Sequence, residues 1–554
     1  MIVKNSLRES LLCSPRDGNL WPSLGSLTPD LVSKATELLL PGLHHWMGAL
    51  RHPDQLLRFV QEVLPRGRAL IYGAGTHTVL LLDLLKTHRR DIEVVGIIDR
   101  LAPARHAIGN FPVFSPSEID QNPHDFIIVG HDEHEKEMVA SLTQLHLHKE
   151  KIYTIYSNPI TRQWSKKSIS EKVNSIAGLQ NTDHIIITGS GDRIIPLSDV
   201  MSMFQDGRCR VVYFGRPNYK SATLPENTID AEGSIDYLHE IIKTSNPKTV
   251  YVQYHMKKSY LPTIIRRACP NSTIIAEAYD YAGIWELNNL EQTIGIQRST
   301  VPWLRLFELN SFQCSNLNIS KRGGEAWSEC MSTTSRPYLT FFPQLTDGVA
   351  PKYEPSPDLR LLYAGWLPAP DVATAPDRGY NTLDLFGKVS QHIPATLSVF
   401  NSQHVNETDD HLFSSYLEMD KAGMIKYHRR VEYDELLQKM ARYDYGWLAD
   451  SRTGFHTDLI VGVPNRWTGY ISGGLPVLLD KRWDWVSKWV QRYNAGLVVD
   501  GNDPRSIADA LSSQSPAALR AGVEKLRTRL SAENQMVYSA IQDLRDRALA
   551  HIKP

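Results

Sequence analysis

The feature that most constrains this chain is a strand-and-helix rhythm, in which short apolar runs alternate with glycine turns and amphipathic segments. The first series comprises the apolar runs at 69–72, 93–98, 125–129 and 151–156. Such runs, separated by amphipathic segments, are typical of buried parallel strands with covering helices. The rhythm restarts at His184 and again at Leu359. The sequence therefore predicts an α/β fold with three Rossmann-like units.

Composition marks the boundaries between these units. A polar stretch at 157–183 precedes the second series, and a proline-rich stretch at 343–358 precedes the third. At roughly 150 residues per domain, the 554 residues suit several folding units. We divide the chain into a helical lead-in (1–65), a Rossmann-like N-terminal domain (66–156), a linker (157–182), a second α/β domain (183–345) and a third α/β domain with C-terminal helices (346–554).

Charge and apolar patterning exclude several classes of function. The 60 Lys and Arg residues balance 61 Asp and Glu residues, so the chain has no general attraction for nucleic acid. The five cysteines lack the paired spacing of zinc or redox motifs.

No apolar run reaches the roughly 20 residues that span a bilayer. We expect a cytoplasmic protein that binds no nucleic acid. Peripheral contact with the inner face of the membrane, through 38–43, and homo-oligomer formation stay open.

A glycine turn follows the first strand of the first series. Gly73 and Gly75 come directly after the apolar run, and His77 begins the next helix-like segment. Glycines there bring backbone amides close to a phosphate at a helix N-terminus. Asp99 ends the next strand, where a carboxylate can accept hydrogen bonds from ribose hydroxyls. These four residues are candidate nucleotide ligands. The third glycine of the dinucleotide fingerprint is missing, and the alternative is a turn that serves packing alone.

The first unit also resembles a known domain. The segments that carry the resemblance are IYGAGTHTVLLLDLL, VVGIIDR, GNFPVFSPSEI and HDFIIVG. They are similar to the N-terminal nucleotide-binding domain of bacterial sugar N- and O-acyltransferases, over residues 66–156. The resemblance implies that this unit holds a nucleotide-sugar. It does not imply acyl transfer, because the hexapeptide repeats that carry that activity are missing here.

The third unit contains an ordered series of motifs. In chain order they are LLYAGW (361–366), RGYN (378–381), YHRRVEYDEL (427–436), PNR (464–466) and YISGGLPV (470–477). This series resembles the donor domain of GT-B glycosyltransferases, which act on nucleotide-activated sugars. The resemblance implies that the last two units form the two-domain GT-B architecture. Donor and acceptor would then meet in the cleft between the carboxyl ends of their strands.

The same resemblance implies where the donor binds. In that family two basic residues hold the donor diphosphate, and a helix N-terminus assists them. Here Trp366 occupies the first basic position, Arg378 fits the second, and Arg466 is a candidate replacement. A family glutamate that binds ribose corresponds to Gly469, so that contact is not carried over. The candidate donor residues are Gly189, Ser190, Gly365, Arg378, Asn465, Arg466, Thr468 and Gly474.

The second unit supplies the candidate catalytic groups. The family's usual His-Asp pair reads Tyr279-Asp280 here. An inverting transfer needs a base for the acceptor proton, whereas a retaining transfer relies mainly on the donor phosphate and positioned dipoles. The candidate catalytic residues are Asp280, Glu277 and His255. The alternative for Glu277 and His255 is that they only hold neighbouring loops.

These resemblances predict a glycosyltransferase that needs neither a metal nor a cofactor, since no Asp-x-Asp metal motif occurs. It would transfer a sugar from a nucleotide-activated donor to a glycan, a lipid-linked glycan or a protein, in bacterial surface-glycan or flagellin glycosylation. Two alternatives stay open. One is a nucleotide-sugar epimerase that uses the same cleft. The other is a non-catalytic nucleotide-sugar-binding scaffold, for which Trp366 and Gly469 argue.

Overall fold

The computed structural model describes most of the chain between residues 59 and 550. Its gaps lie at 74–75, 100–106, 109–110, 131–134, 146, 156–157, 159–168, 190–193, 206, 216–223, 232–233, 285–300, 333, 335, 347, 349, 368–379 and 451–459. Most of the predicted helical lead-in therefore lies outside the described residues. The same is true of Gly75, Ser190 and Arg378, and of the side chain of His77.

The first unit is a six-stranded sheet in the order β3-β4-β2-β1-β5-β6. Its paired strands are parallel except for β3 and β4. A π-helical turn at Phe59–Val63 precedes β1. The regular elements are β1 (Gly67–Tyr72), α1 (Thr76–His88), β2 (Ile92–Ile98), β3 (Ala107–Ile108), β4 (Phe111–Phe114), β5 (Phe126–Val129), α2 (Glu135–Gln144) and β6 (Ile152–Thr154).

The second unit is a seven-stranded parallel sheet in the order β13-β12-β11-β10-β7-β8-β9. Its strands are β7 (His184–Thr188), β8 (Cys209–Tyr213), β9 (Ile229–Asp230), β10 (Thr249–Tyr254), β11 (Thr273–Ala278), β12 (Leu317–Ser320) and β13 (Tyr338–Thr340). Its helices are α3 (Leu197–Met203), α4 (Ile235–Ser245), α5 (Leu261–Ala268), α6 (Val301–Cys314) and α7 (Glu325–Ser332).

The third unit is a six-stranded parallel sheet in the order β16-β15-β14-β17-β18-β19. Its strands are β14 (Leu359–Gly365), β15 (Ala395–Asn401), β16 (Lys426–His428), β17 (Tyr445–Leu448), β18 (Val477–Asp480) and β19 (Gly496–Val499). Its helices are α8 (Tyr380–Val389), α9 (Ser414–Lys421), α10 (Tyr433–Lys439), α11 (Asn465–Ser472), α12 (Asp484–Tyr493), α13 (Pro504–Ser513) and α14 (Pro516–Ala550).

Burial on both faces explains why the apolar runs fold as parallel strands. In β10, Val250 and Val252 pack into one hydrophobic core, whereas Tyr251 packs into the core on the other face of the sheet. A strand covered on both sides gains from apolar residues at every position. The predicted α/β fold with three Rossmann-like units is therefore confirmed.

The segment predicted as a linker contributes to the second unit. Residues 169–174 are helical, and a 3₁₀ turn follows at Leu179–Asn181. Ile169, Val173 and Leu179 are buried in the same core as Ile185 of β7. Because these three side chains remove apolar surface from water, the second half of 157–182 packs as part of this domain.

The long helix α14 joins the second and third units. Near its start, Arg520 donates to the carbonyl of Gly474 at 2.7 Å. Further along, the Asn534 amide makes two hydrogen bonds of 2.8 Å with the backbone of Phe342, between the two sheets. Near its end, the Tyr538 hydroxyl donates to Asp199 of α3. Two parallel-sheet domains connected by a returning C-terminal helix form the architecture that the GT-B resemblance implied. Within the described ranges, no helix combines the length and apolar character needed to cross a bilayer.

Candidate functional site

The carboxyl edges of the second and third sheets meet. The segment after β12 pairs with the segment before α11, because the Val463 N–H donates to the Lys321 carbonyl at 3.0 Å and the Gly323 N–H donates to the Val461 carbonyl at 2.9 Å. Ligands of open parallel sheets bind beyond the carboxyl ends of the strands. The contact therefore places both candidate halves of the site in one cleft.

A side-chain bond also crosses this cleft. The Asn465 amide, at the start of α11, donates to the Tyr279 hydroxyl at 2.9 Å. Tyr279 directly follows β11 and directly precedes Asp280. The predicted catalytic segment of the second unit and the predicted donor segment of the third unit are thus in direct contact.

Asp280 is the centre of a charge cluster that is partly exposed to the cleft. Its carboxylate forms an ion pair with Arg322, and its other oxygen lies 3.5 Å from Nε2 of His255. Burial disfavours the charge of this carboxyl, but Lys321, Arg322 and His255 together hold the pKa of Asp280 well below its usual range. A carboxylate with such a low pKa is a weak base and is poorly suited to accept a proton from an acceptor hydroxyl. Its contact with Nε2 instead suits it to orient the His255 imidazole.

Two residues of this cluster, Lys321 and Arg322, were not predicted from the sequence. Arg322 is fully buried, and its guanidinium contacts Asp280. The Lys321 ammonium lies 3.7 Å from the ring centroid of Tyr279, in cation–π geometry. Both residues follow β12, whose four residues alternate apolar and polar side chains. In the sequence, the sign that could have identified them is that two basic residues directly follow a short strand. That strand pairs with β11, which Tyr279 and Asp280 follow.

Glu277 lies below this cluster, inside the sheet. One of its oxygens accepts the N–H groups of Ile194 and Ile195, at 2.5 and 3.3 Å. The other accepts the Tyr251 hydroxyl at 2.7 Å and the Gln253 amide at 3.0 Å. Burial raises the pKa of Glu277, and these four donors oppose the rise. The side chain is fully buried and its oxygens are occupied, so its geometry suits holding the 194–195 segment.

A second buried carboxyl, Glu308 on α6, shapes the loop after Asp280. It accepts hydrogen bonds from the backbone N–H groups of Ala282 and Gly283, the latter at 2.9 Å. Burial raises the pKa of Glu308 to about 8, although these N–H groups and Arg305 favour its charged form. Glu308 thus fixes the chain two residues beyond Asp280. No local motif marks this glutamate in the sequence of α6.

On the third unit, Gly365 and Arg466 are in close contact. A Cβ atom added to Gly365 would lie 2.6 Å from Cδ of Arg466, so a glycine is needed where this side chain crosses the end of β14. The Arg466 guanidinium lies 4.5 Å from the ring centroid of Tyr363. Trp366, the next residue after β14, keeps 42% of its surface exposed. An arginine stacked on a tyrosine therefore lies beside an exposed indole.

The other predicted donor residues shape α11 and its surroundings. The Thr468 hydroxyl donates to the Asn465 carbonyl at 2.9 Å, inside the first turn. Gly474, with φ of 68°, lies just after the helix in the left-handed region that favours glycine. The Oδ1 atom of Asn465 is buried and has no hydrogen-bond partner among the described residues. Asn465 thus offers a hydrogen-bond acceptor beside Arg466. Thr468 instead bonds to the backbone in the first turn of α11, and Gly474 allows the chain to turn after the helix.

Gly189 lies at the end of β7, in the second unit. A Cβ atom there would lie 2.9 Å from the Lys258 ammonium, which donates to the carbonyl of Phe214. The glycine therefore allows the lysine to approach the strand end closely. The rest of the predicted loop, including Ser190, lies outside the described residues.

Gly73 and Asp99 lie in a different sheet, at the carboxyl edge of the first unit. Gly73 has φ of 114°, its N–H donates to the Ile98 carbonyl at 2.8 Å, and its own carbonyl accepts the Thr78 hydroxyl. Asp99 follows β2, and its N–H donates to the carbonyl of Phe114. Gly73 thus directly follows β1 and lies in a different sheet from the Asp280 cluster. In the part of the chain that the structure describes, no group of three His, Cys, Asp or Glu side chains could hold a metal ion.

Comparison with protein families gives a match in the first unit. Residues 66–153 match the family model described as C2185-like, N-terminal. This description does not support the resemblance to sugar acyltransferases, which stays a prediction. No curated protein matches the chain.

Several solved structures are similar to the chain at low identity. The lipopolysaccharide outer core galactosyltransferase WaaB is 10% identical, over 66% of this chain and 99% of that chain, with a TM-score of 0.44. Anabaena Alr3699/HepE in complex with UDP-glucose is 13% identical, over 65% and 99%, with a TM-score of 0.44. A Thermobaculum terrenum O-GlcNAc transferase mutant is 12% identical, over 67% and 69%, with a TM-score of 0.40. Likeness at this level indicates neither a substrate nor an activity for this chain.

Proposed function

We propose that this protein is a metal-independent glycosyltransferase, which transfers a sugar from a nucleotide-activated donor to a hydroxyl group of a glycan, a lipid-linked glycan or a protein. One observation carries the proposal. The Asn465–Tyr279 hydrogen bond joins the carboxyl edges of two parallel sheets, with His255 and Asp280 on one side and Arg466 on the other. A base and an anion ligand on opposite walls of one cleft are what transfer from a phosphorylated donor needs.

On the donor side, we assign the phosphate groups to the start of α11. Arg466 has no carboxylate partner among the described residues, and its guanidinium rests on Tyr363. The N–H groups at a helix N-terminus and a guanidinium both favour a phosphate anion. When the bond between the sugar and the phosphate breaks, the leaving nucleotide takes the electron pair. Positive groups at this position stabilise the charge that develops.

On the acceptor side, we assign proton removal to His255. Asp280 stays ionised and faces Nε2 of the imidazole, which leaves the other ring nitrogen for the acceptor hydroxyl. The acceptor oxygen then forms its bond to the sugar carbon as its proton passes to His255, and Asp280 stabilises the resulting imidazolium. This role requires an inverting transfer, whereas a retaining transfer would depend less on His255.

The acceptor and the pathway are finer parts of the same proposal. Both the first and the third unit resemble domains of sugar-modifying bacterial enzymes. We therefore place the reaction in surface-glycan or flagellin glycosylation, with the first unit as a second nucleotide-sugar site or an acceptor-recruiting domain. A truncation that removes residues 1–156 tests this assignment, since it should lower acceptor affinity or one class of nucleotide binding while the donor site at Arg466 is kept.

The test is acceptor-dependent release of nucleotide from a panel of UDP-, GDP-, dTDP- and CMP-sugars. Arg466→Ala should lower donor affinity by at least tenfold, and His255→Gln should lower kcat by about 10²-fold or more if the transfer is inverting. Arg505→Ala and His392→Ala, at exposed positions of the third unit, are the matched controls and should match the unaltered protein.

The same assay separates the alternatives. Conversion of the donor sugar without an acceptor and without nucleotide release would indicate an epimerase. Binding of nucleotide-sugar without turnover, for every acceptor class, would indicate a scaffold. Nucleotide affinity that does not change in Arg466→Ala would show that the donor site is placed wrongly.

A further inference from the structure

Lys321 is a buried cation at the centre of the cleft. It is the first residue after β12, and only 8% of its surface is exposed. Its carbonyl accepts the Val463 N–H from the third unit, and its ammonium lies 3.7 Å from the ring centroid of Tyr279. The lysine is therefore held at the face where the two units meet.

The Lys321 ammonium lacks a hydrogen-bonding partner. Among the described residues, no oxygen lies within hydrogen-bonding distance of its nitrogen, and no carboxylate lies within 4 Å. An ammonium group carries three hydrogen-bond donors, and no described residue accepts from those of Lys321. Contact with one aromatic face replaces only part of the lost hydration. The site thus contains three unused donors that point to an anionic or oxygen-rich ligand.

The surrounding carboxyl groups do not neutralise this part of the cleft. The Asp280 carboxylate is in an ion pair with Arg322 and also attracts Lys321, so two cations share this one carboxylate. The Glu308 oxygens accept hydrogen bonds from the backbone N–H groups of Ala282 and Gly283, so they are already in use. A buried surplus of positive charge is stabilised by a bound anion.

The position of Lys321 relative to the third unit indicates which anion. The ring on which its ammonium rests belongs to Tyr279, whose hydroxyl accepts from Asn465. Arg466 is the next residue, and Trp366 occupies the nearby end of β14 without a charge. Lys321 therefore belongs to the second unit's side of the Tyr279–Asn465 contact, and Arg466 to the third unit's side.

We propose that Lys321 is a donor-phosphate ligand contributed by the second unit, and that it supplies the positive charge that Trp366 does not. The assignment rests on the proposed function, since it concerns the same donor. Its ammonium donates hydrogen bonds to phosphate oxygens from the side of the cleft opposite Arg466. No covalent bond to the lysine forms. Because one ligand bridges both units, donor binding also holds the cleft together.

The experiment is isothermal titration of the full chain with inorganic pyrophosphate, UDP, GDP and uridine. Lys321→Met keeps the length of the side chain and removes the charge. It should weaken pyrophosphate binding, and binding of whichever nucleoside diphosphate the protein prefers, by about tenfold or more, and should leave uridine unaffected. Lys321→Arg should stay within a few-fold of the unaltered protein. Lys352→Met, at an exposed position, is the matched control and should change nothing.

Thermal unfolding provides a readout that a purely structural lysine would not give. Because the Lys321 ammonium makes no hydrogen bond or ion pair with a described residue, its removal should change the Tm of ligand-free Lys321→Met little, while the Tm increase produced by pyrophosphate should shrink. A lower Tm without ligand, together with unchanged ligand affinity, would assign Lys321 to the fold and overturn the proposal.

The outcomes distinguish this proposal from the proposed function. If pyrophosphate binds the unaltered protein and Lys321→Met equally well, or binds neither, the proposal for Lys321 is wrong. If Lys321→Met loses pyrophosphate binding but the unaltered protein transfers no sugar, Lys321 remains an anion ligand and the transferase proposal fails. If the unaltered protein transfers sugar and Lys321→Met matches it in kcat, KM and affinity, only the proposal for Lys321 fails.

Discussion

The two walls of the cleft are built differently. In the second unit, the buried Arg322 is paired with the half-buried Asp280, and the backbone that follows Asp280 is fixed by Glu308. In the third unit, Arg466 rests on Tyr363 without a carboxylate partner among the described residues. At Arg322 the protein supplies the opposite charge itself, whereas at Arg466 the positive charge is left available to a ligand.

This difference separates stability from binding. A buried ion pair is costly to break, because the remaining partner is left charged in a medium of low polarity. A stacked, partly exposed guanidinium contributes little to folding, since water can replace its contacts. Substitution of Asp280 or Arg322 should therefore mainly lower the free energy of unfolding. Substitution of Arg466 should mainly lower the affinity for the donor.

The largest effect is expected from Asp280→Asn. This change removes the carboxylate charge that is paired with Arg322, so it should lower the free energy of unfolding by about 3–5 kcal/mol. Activity of the folded protein should fall by about 10²-fold or more, because His255 loses its orienting carboxylate. Urea unfolding and nucleotide release measure the two effects. Asp509→Asn, on the exposed face of α13, is the control, and a stability change as small as in that control would contradict the comparison.

Sequence reasoning went furthest where the apolar runs are long. The run at 184–188 predicts β7 directly, and the structure places β7 at His184–Thr188, buried throughout. Because parallel strands end at one edge, the same reasoning places the residues after β10 and β11 together. The structure indeed brings His255 within 3.5 Å of Asp280. The roles of these residues in catalysis remain predictions.

Sequence reasoning failed where tertiary contacts decide the outcome. The strand β12 reads LNIS, and only two of its four residues are apolar, so no strand was predicted before Lys321 and Arg322. Glu308 lies on a helix whose sequence gives no sign that its carboxylate reaches the backbone of another loop. For Glu277 the sequence leaves open a catalytic role or a role in holding neighbouring loops, because the direction of its side chain depends on strand pairing.

A second prediction concerns the pH dependence of folding stability, to which His184 at the start of β7 should contribute. Burial lowers the pKa of His184 to about 4, and both ring nitrogens lack hydrogen-bond partners in the described structure. Between pH 6.5 and 4 the unfolded chain therefore binds one more proton than the folded chain, so stability falls as the pH falls. From pH 7 to pH 5 the loss should be about 2 kcal/mol.

Urea unfolding at both pH values measures this loss. His184→Phe should abolish the His184 part of it, while His392→Phe, at an exposed position, should keep the full pH dependence. If His184→Phe does not fold, His184→Ala gives the same comparison at a lower overall stability. An equal pH dependence in the His184 variants and the unaltered protein would show that the imidazole is hydrated when folded.

A third prediction tests whether Glu277 belongs to the site or to the fold. Glu277→Gln replaces one carboxylate oxygen, which accepts hydrogen bonds, by an amide group that donates them. In one orientation the new amide faces the two backbone N–H groups, and in the other it faces the Tyr251 hydroxyl and the Gln253 amide. We expect the free energy of unfolding to fall by about 1–3 kcal/mol, since a buried donor is left without an acceptor. Nucleotide release per folded molecule, measured well below the Tm, should stay within a few-fold. A loss comparable to that in His255→Gln would instead give Glu277 a catalytic role.

The smallest effect on stability, and the sharpest contrast with the second unit, is expected from Arg466→Ala without ligand. The variant loses one cation–π contact with Tyr363, worth about 0.5–1 kcal/mol at a partly exposed site. Arg322→Ala, by contrast, removes a buried guanidinium and leaves the half-buried Asp280 carboxylate without its ion-pair partner, which should cost about 3–5 kcal/mol. Urea unfolding of both variants measures the difference directly. Equal losses in the free energy of unfolding would mean that Arg466 contributes as much to folding as Arg322 does. The assignment of Arg466 as mainly a donor ligand would then be wrong.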